Sequence, residues 1–323
     1  MKMKKQLSFS DVEYSQRKKK TRREIFLDTM ETVVPWEKWV EIIRPYYPDG
    51  KRGRRPQEIE RMLRMYMLQI WFNLSDEGAE DAIYDSYAMK NFLGINFNSG
   101  EQAPDATTLG KFRNLLEKHN LQKELNAELT RLLSQNGYMV HGGTIVDASI
   151  VSAPDSKKNE EHKPSPEMHS VKKNNKFFYG MRTHIGVDAV HGFVHSLVVT
   201  AANENEGKML PQLIRKDDRV VYGDAGYLKS EKYVTDGIER DYRFNRQMGT
   251  FKRHYGDSIS YQYEKELERR KSSVRCKVEY VFHVVKDIFH WKKAKYRGLY
   301  KNTCHAQMLF ASANLYMLAT AKF

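Results

Sequence analysis

The chain has 323 residues and a formal charge of +13, from 54 lysines and arginines against 41 aspartates and glutamates. Hydrophobic residues at 40% and aromatics at 12% exclude a disordered polycation, and the length suits two domains, each with its own core. So large a cationic excess calls for a polyanion, and with no apolar run near the ~18 residues of a membrane span, nucleic acid is the expected partner.

The opening, MKMKKQLSFSDVEY, is basic but has no apolar stretch behind it, so no secretory leader is expected. Cys276 and Cys304 lack zinc or disulfide spacing and read as reduced thiols in a cytoplasmic protein. Residues 1–23 form a basic arm containing Lys18, Arg22 and Arg23, either a solubilising tail or a DNA-contacting segment. A short helix over 24–34 is followed by a loop at Pro45, Pro48 and Gly50, with the cations KRGRR at 51–55. From 57 to 74, Ile59, Met62, Leu63, Tyr66, Met67, Ile70, Trp71 and Leu74 make one broad helical stripe. Ser75 reads as the cap of a helix through about Met89, and Asp105 or Thr107 as the cap of the next. A further helix over 121–133 stops at Asn136-Gly137. Such capped helices fit a helix-turn-helix-like DNA reader and any small bundle alike.

After Gly142-Gly143 the pattern turns β-like. TIVDASIVSA, 144–153, reads as a buried strand with Asp147 in its middle, where a carboxylate must lie at an exposed end or ligate something. A polar loop near 155–176, with Lys157, Lys158, Lys172 and Lys173, is expected to be ordered by a partner. Runs at 177–187 and 192–200 predict an antiparallel hairpin; a short helix over 208–215 and a strand over 219–222 follow. That strand ends in Gly223-Asp224-Ala225-Gly226-Tyr227, where Asp224 is either turn punctuation or a functional acid at a strand's carboxyl end. A helix from Ser230, a strand over 241–244 and a helical insertion near 250–270 come next.

The segment RCKVEYVFHVVK carries an apolar stripe of Val278, Phe282, Val285 and Phe289, and a second face of Arg275, Glu279, His283 and Lys286. The second face suits a solvated helix with an i,i+4 salt bridge, or a metal-binding carboxylate with cations for a phosphate backbone beside it. His283 could orient a water or a phosphate, or simply lie at the surface. A basic, aromatic stretch over 291–301, including Arg297, precedes a final packing helix over 305–319. Asp147, Asp224 and Glu279 are thus three acids that this order of elements could gather at one sheet edge. Divalent ions are the physical reason to gather carboxylates, and hard Mg²⁺ or Mn²⁺ prefers oxygen ligands.

The chain resembles the insertion-sequence-five family of bacterial DDE transposases over nearly its whole length. The resemblance runs through QLSFSDVEY, TRREIFLDTMETVVPW, ERMLRMYMLQIWFNLSDEGAEDAIYDS and PDATTLGKFRNLLEKH in the first half. In the second it runs through GGTIVDASIVSAP, PEMHSVKKNNKFFYGMRTHIGVD, YGDAGY, RCKVEYVFHVVK and KYRGLYKNT. It implies a helical DNA-binding domain over 24–137 and an α/β, ribonuclease-H-like catalytic domain over 138–323. It also implies Asp147, Asp224 and Glu279 as the acids holding two Mg²⁺ or Mn²⁺ ions, with Arg275 and Lys286 facing the end DNA in an Arg-x3-Glu-x6-Lys signature. Lys172, Lys173, Arg182, Lys18, Arg22, Arg23 and Arg297 are candidate phosphate contacts. The expected reaction is cleavage at terminal inverted repeats and 3′-OH strand transfer into target DNA, by a dimer or larger assembly, with no membrane involved. A catalytically silent DNA-binding relative is the rival reading.

Overall fold

The computed structural model describes residue 14 and residues 16–50, 55–154, 165–173, 175–256 and 258–320. The cations at 51–54, Lys157, Lys158 and the first part of the basic arm lie outside the described residues. The chain divides into two compact units, Met1–Glu128 with Leu315–Phe323, and Leu129–Asn314.

The first unit is helical: α1 (Arg22–Val33), α2 (Trp36–Ile43), α3 (Ile59–Trp71), α4 (Asp76–Asp85), α5 (Tyr87–Phe92), α6 (Ala106–Lys118) and the start of α7 (Leu121–Gln135). Side-chain oxygens close the helix starts: Ser75 accepts from Gly78 N and Asp105 from Thr108 N. The helix expected to run from Ser75 to Met89 ends at Asp85, because Ser86 caps a second helix by accepting from Met89 N. Rather than showing one stripe, α3 is buried on every side from Met62 to Trp71. Its two polar residues there are satisfied. Arg64 donates to Glu31 and Glu60 while lying over Trp36 and Phe92, and Gln69 donates to Asp76, which also binds Arg113.

The second unit is built on a six-stranded mixed sheet. Its strands are β1 (Gly143–Ser152), β2 (His169–Lys173), β3 (Lys176–Asp188), β4 (Val194–Ala201), β5 (Val220–Gly223) and β6 (Asp241–Phe244). β1 pairs antiparallel with β3 and parallel with β5, which pairs parallel with β6; β2 and β4 pair with successive parts of β3. The predicted hairpin forms because buried Asp188 accepts from Val190 N, His191 N and Phe193 N, closing the β3–β4 turn. Val146, Leu210, Leu213, Val221, Tyr227 and Phe244 form a buried cluster, to which the short helix α8 (Leu210–Leu213) contributes.

Three expectations change here. Residues 169–173, expected within a polar loop, form β2, since pairing with β3 satisfies their backbone whatever their polarity. The helix expected from Ser230 is a single 3₁₀ turn, Ser230–Tyr233. The helical insertion near 250–270 is α9 (Met248–Tyr255) plus the first half of α10 (Ile259–His283), which runs unbroken into the RCKVEYVFH segment. A π-helical turn, Val284–Ile288, follows α10, and α11 (Leu299–Thr320) ends the described chain. Among the described residues no helix is long and apolar enough to cross a membrane.

Candidate active site

Asp147 sits at the level where β1 outruns β5. The parallel register pairs Thr144 with Val221 and Ile145 with Tyr222, and continuing it sets Asp147 opposite Asp224. Asp224 caps the turn after β5 by accepting from Gly226 N at 2.9 Å. Two acids distant in sequence thus become neighbours through strand pairing alone. Asp147 pays no hydrogen-bond deficit, since its Oδ1 accepts from Ala148 N at 2.7 Å, but its side chain is only 16% exposed. Burial, opposed by that amide and by Arg275 and reinforced by the charges of Asp224 and Glu206, pushes its pKa up from 3.8 to about 6.

The second layer of the site comes from α10. Val278 and Val281 bury one stripe of this helix, and the stripe continues into the π turn through Val284 and Val285. That fixes the rotation of the helix so that Arg275 reaches β1. Its guanidinium lies between two carboxylates, Nη1 at 3.6 Å from Asp147 Oδ2 and Nη2 donating to Glu279 Oε1 at 2.9 Å. Glu279 is 58% exposed and is joined to Asp147 through this shared cation rather than by direct approach.

Lys286 has a different setting from the one its spacing suggests. Lys286, in the π turn, reaches β1 as Arg275 does, though not at a carboxylate. Its Nζ donates instead to Ser149 Oγ at 2.5 Å and to Ile150 O at 3.1 Å on β1. His283 contacts Asp287 through Nδ1 at 3.0 Å, and Asp287 also binds Lys292.

Arg182, a candidate phosphate contact, is turned inward: it is 9% exposed, pairs with Glu206 at 2.8 Å and donates to Glu204 O at 3.1 Å. Lys172 is exposed with its Nζ over the Phe177 ring, and Arg297 is exposed. Lys173 closes β2, paired with Lys176. Lys18, Arg22 and Arg23 are exposed in the first unit, Arg23 lying over the Phe72 ring.

Glu206 is the acid that sequence reasoning missed. It opens a 3₁₀ turn just past β4, and its charge bears on both Asp147 and Tyr227. The available signal was the run NENEG directly after a strand, which looks like ordinary turn chemistry.

Among the described residues no three His, Cys, Asp or Glu side chains are close enough together to hold a metal ion. The chemistry of the donors nevertheless fits a hard divalent cation. They are all carboxylates, and Asp147 is desolvated beside two like charges, a deficit of positive charge that such an ion would relieve.

Two family models match the chain. One, described as a transposase DDE domain, spans residues 139–315, more than half of the sequence, and holds every acid of the site. The other, described as a transposase domain, spans residues 14–115 in the helical unit.

Proposed function

The chain belongs to the DDE transposase family, whose members act on DNA with divalent metals, and from that premise we propose that it is the transposase of a bacterial insertion sequence, cutting at terminal inverted repeats and joining the freed 3′-OH to target DNA. Its mixed sheet with flanking helices is the ribonuclease-H-like fold of that domain. The motifs QLSFSDVEY, YGDAGY and RCKVEYVFHVVK support the insertion-sequence-five branch in particular.

The observation that carries the reading is the level alignment of Asp147 and Asp224 across β1 and β5, with Glu279 held one guanidinium away. Asp147, Asp224 and Glu279 would hold two Mg²⁺ or Mn²⁺ ions, which supply an activated oxygen nucleophile and stabilise the leaving oxygen of an in-line phosphoryl displacement. Arg275 keeps Asp147 and Glu279 from meeting as bare like charges, and a DNA phosphate competing for its guanidinium would free Glu279 to turn inward. Lys286 braces β1 beside Asp147 through Ser149 and Ile150. In strand transfer one phosphodiester P–O bond forms as another breaks, so no nucleotide energy source is required. Exposed Lys18, Arg22, Arg23, Lys172 and Arg297, with Lys173, are the cations proposed to meet phosphate. Since two element ends must be joined, the working form is a dimer or larger assembly on DNA, in the bacterial cytoplasm.

The test is strand cleavage of a terminal-repeat duplex in Mg²⁺, followed by pre-cut ends offered to a plasmid. Cleavage and strand-transfer products are expected. Binding without nicking by the intact protein would identify a silent DNA-binding relative instead, and nicking without transfer a plain nuclease.

A further inference from the structure

From Met168 to Val187 the chain carries no carboxylate, while Lys172, Lys173, Lys176 and Arg182 all fall within that stretch. β2 and most of β3 lie in it. β1 pairs with β3 from Gly180 to Asp188 and β4 from Met181 to Val187, whereas β2 pairs with it from Lys176 to Gly180. The end of the β2–β3 hairpin is therefore a two-stranded ribbon that runs on past the body of the sheet. The register sets Lys173 opposite Lys176, and Asn175, in the turn between them, takes a left-handed φ of 60°, which asparagine tolerates and tight hairpin turns require.

This ribbon carries an apolar side chain that the fold leaves uncovered. Phe177 is 75% exposed, and the cross-strand partner Lys172 holds its Nζ 5.7 Å from the centre of the ring. Lys176, next to it, is exposed as well. A lone exposed phenylalanine is ordinary, but one set between cations near the tip of a ribbon, in a stretch free of acids, has the form of a wedge for a polyanion. Proteins that kink DNA insert such side chains between bases while neighbouring cations hold the phosphates. A two-stranded ribbon is also narrow enough to enter a groove of the duplex.

The strand register relates this wedge to the acids. Asp147 pairs with Ile185, and Phe177 lies eight residues before Ile185, so strand alternation gives Phe177 the same face of the sheet as Asp147. At ~3.3 Å per residue the separation along β3 is about 26 Å, the rise of about eight base pairs.

We propose that the β2–β3 ribbon grips the duplex of the element end, with Phe177 inserted into the base stack about eight base pairs from the cleaved phosphate and Lys172 and Lys176 on the flanking phosphates. This rests on the reading of the chain as a transposase. The end is a better occupant than the target, because it must keep one register against the acids through both cutting and joining. A wedge at a fixed distance from Asp147 holds a duplex in one register.

The experiment places 2-aminopurine singly at successive positions of a terminal-repeat duplex and binds the full-length protein without Mg²⁺, so that no strand is cut. The wild-type protein is expected to raise the fluorescence at a step about eight base pairs from the cleavage point. Phe177→Ala is expected to abolish that signal and to weaken end binding about 5–100-fold with an unchanged salt slope. Phe177→Trp keeps a wedge and should retain both signal and affinity. Lys176→Gln should instead keep the signal and lower the slope of log affinity against log salt by about 1. Both side chains are exposed, so the core is untouched, and thermal unfolding verifies each variant. Wild-type affinity in Phe177→Ala overturns the proposal, and so does a flat fluorescence profile on a duplex that the protein binds and, once Mg²⁺ is added, nicks. A signal that arises only when a target plasmid joins pre-cut ends overturns it too, by assigning the ribbon to target DNA. A repeat duplex that the protein neither binds nor nicks sinks the functional reading and this inference together.

Discussion

Arg275 Nη1 stands 3.6 Å from Asp147 Oδ2, tying the long helix α10 to the middle of β1. The same side chain donates to Glu279, so one cation mediates between two acids that the proposed chemistry needs together. Such a cation has two roles open to it in sequence, screening like charges without DNA and meeting a phosphate with it. Arg275→Gln is therefore expected to weaken binding to element ends and to lower the slope of log affinity against log salt by about 1. Anisotropy titrations over a range of salt check this; an unchanged slope removes Arg275 from the DNA contact.

Glu279→Gln separates catalysis from folding. With Glu279 58% exposed and its pairing with Arg275 on the helix surface, the stability change should stay below about 0.5 kcal/mol. DNA binding is expected to persist while cleavage falls by at least about 100-fold. Cutting near the wild-type rate would take Glu279 out of the site.

Lys286 is expected to behave as a brace. Its ammonium donates to Ser149 Oγ and Ile150 O, so Lys286→Met leaves those β1 acceptors short of a partner and should cost about 1–3 kcal/mol in urea unfolding. The salt slope of DNA binding should stay as in the wild type. A lower slope with unchanged stability would instead make Lys286 a phosphate contact.

These three residues also mark how far the sequence was legible. β1, the β3–β4 hairpin and β5 announce themselves through β-branched runs bounded by glycine or Asp188, so the neighbourhood of Asp147 and Asp224 follows from element order. Lys286 escapes because its partners, Ser149 and Ile150, lie 137 and 136 residues away on β1, a contact that helical spacing does not show. β2 escapes because HSVKK is polar and its stability comes from pairing with β3, a long-range term. Glu206 and Arg182 escape for the same reason: each looks solvated by type, and only the fold shows that they pair with one another.

Asn314 interrupts the apolar run of the final helix, α11, and the structure gives the reason. It is 0% exposed, its Oδ1 accepts from Val194 N at 2.8 Å, and its Nδ2 donates to Val194 O at 2.8 Å. The amide thus closes both backbone groups at the start of β4, where Val194 would otherwise be short of partners. Asn314→Leu fits the apolar pattern better yet should destabilise by about 2–4 kcal/mol, since two buried backbone groups lose their partners. Chemical denaturation measures this; a neutral or stabilising outcome would mean that water or a shifted strand replaces the amide.

Stability should fall as pH drops from about 6 to 4, because two desolvated histidines, His184 and His195, outweigh one buried acid, Asp147; burial first, and then the charge of Arg215, hold the pKa of His195 down from 6.5 to about 3. His184 is 0% exposed, with Nε2 against Thr200 Oγ1 and no partner at Nδ1; burial first, and then the charge of Arg182, hold its pKa down from 6.5 to about 4. Its folded form stays neutral while the unfolded chain takes up a proton, so this contribution is complete above pH 6.5 and is lost as pH falls towards 4. Asp147 is raised from 3.8 to about 6, so its folded form is the one that takes up a proton, and its contribution is complete below 3.8 and lost as pH rises through 6. The His184 and Asp147 contributions each amount to about 3 kcal/mol at most. In chelator-treated protein, His184→Gln should leave Asp147 opposed by His195 alone, with stability nearly level from pH 6 to 4. Asp147→Asn should leave both histidine slopes unopposed, with stability decreasing more steeply than in the wild type over the same interval. Urea midpoints across pH 4–8 decide the matter, and two variants that both keep the wild-type profile would refute the assignment of either group.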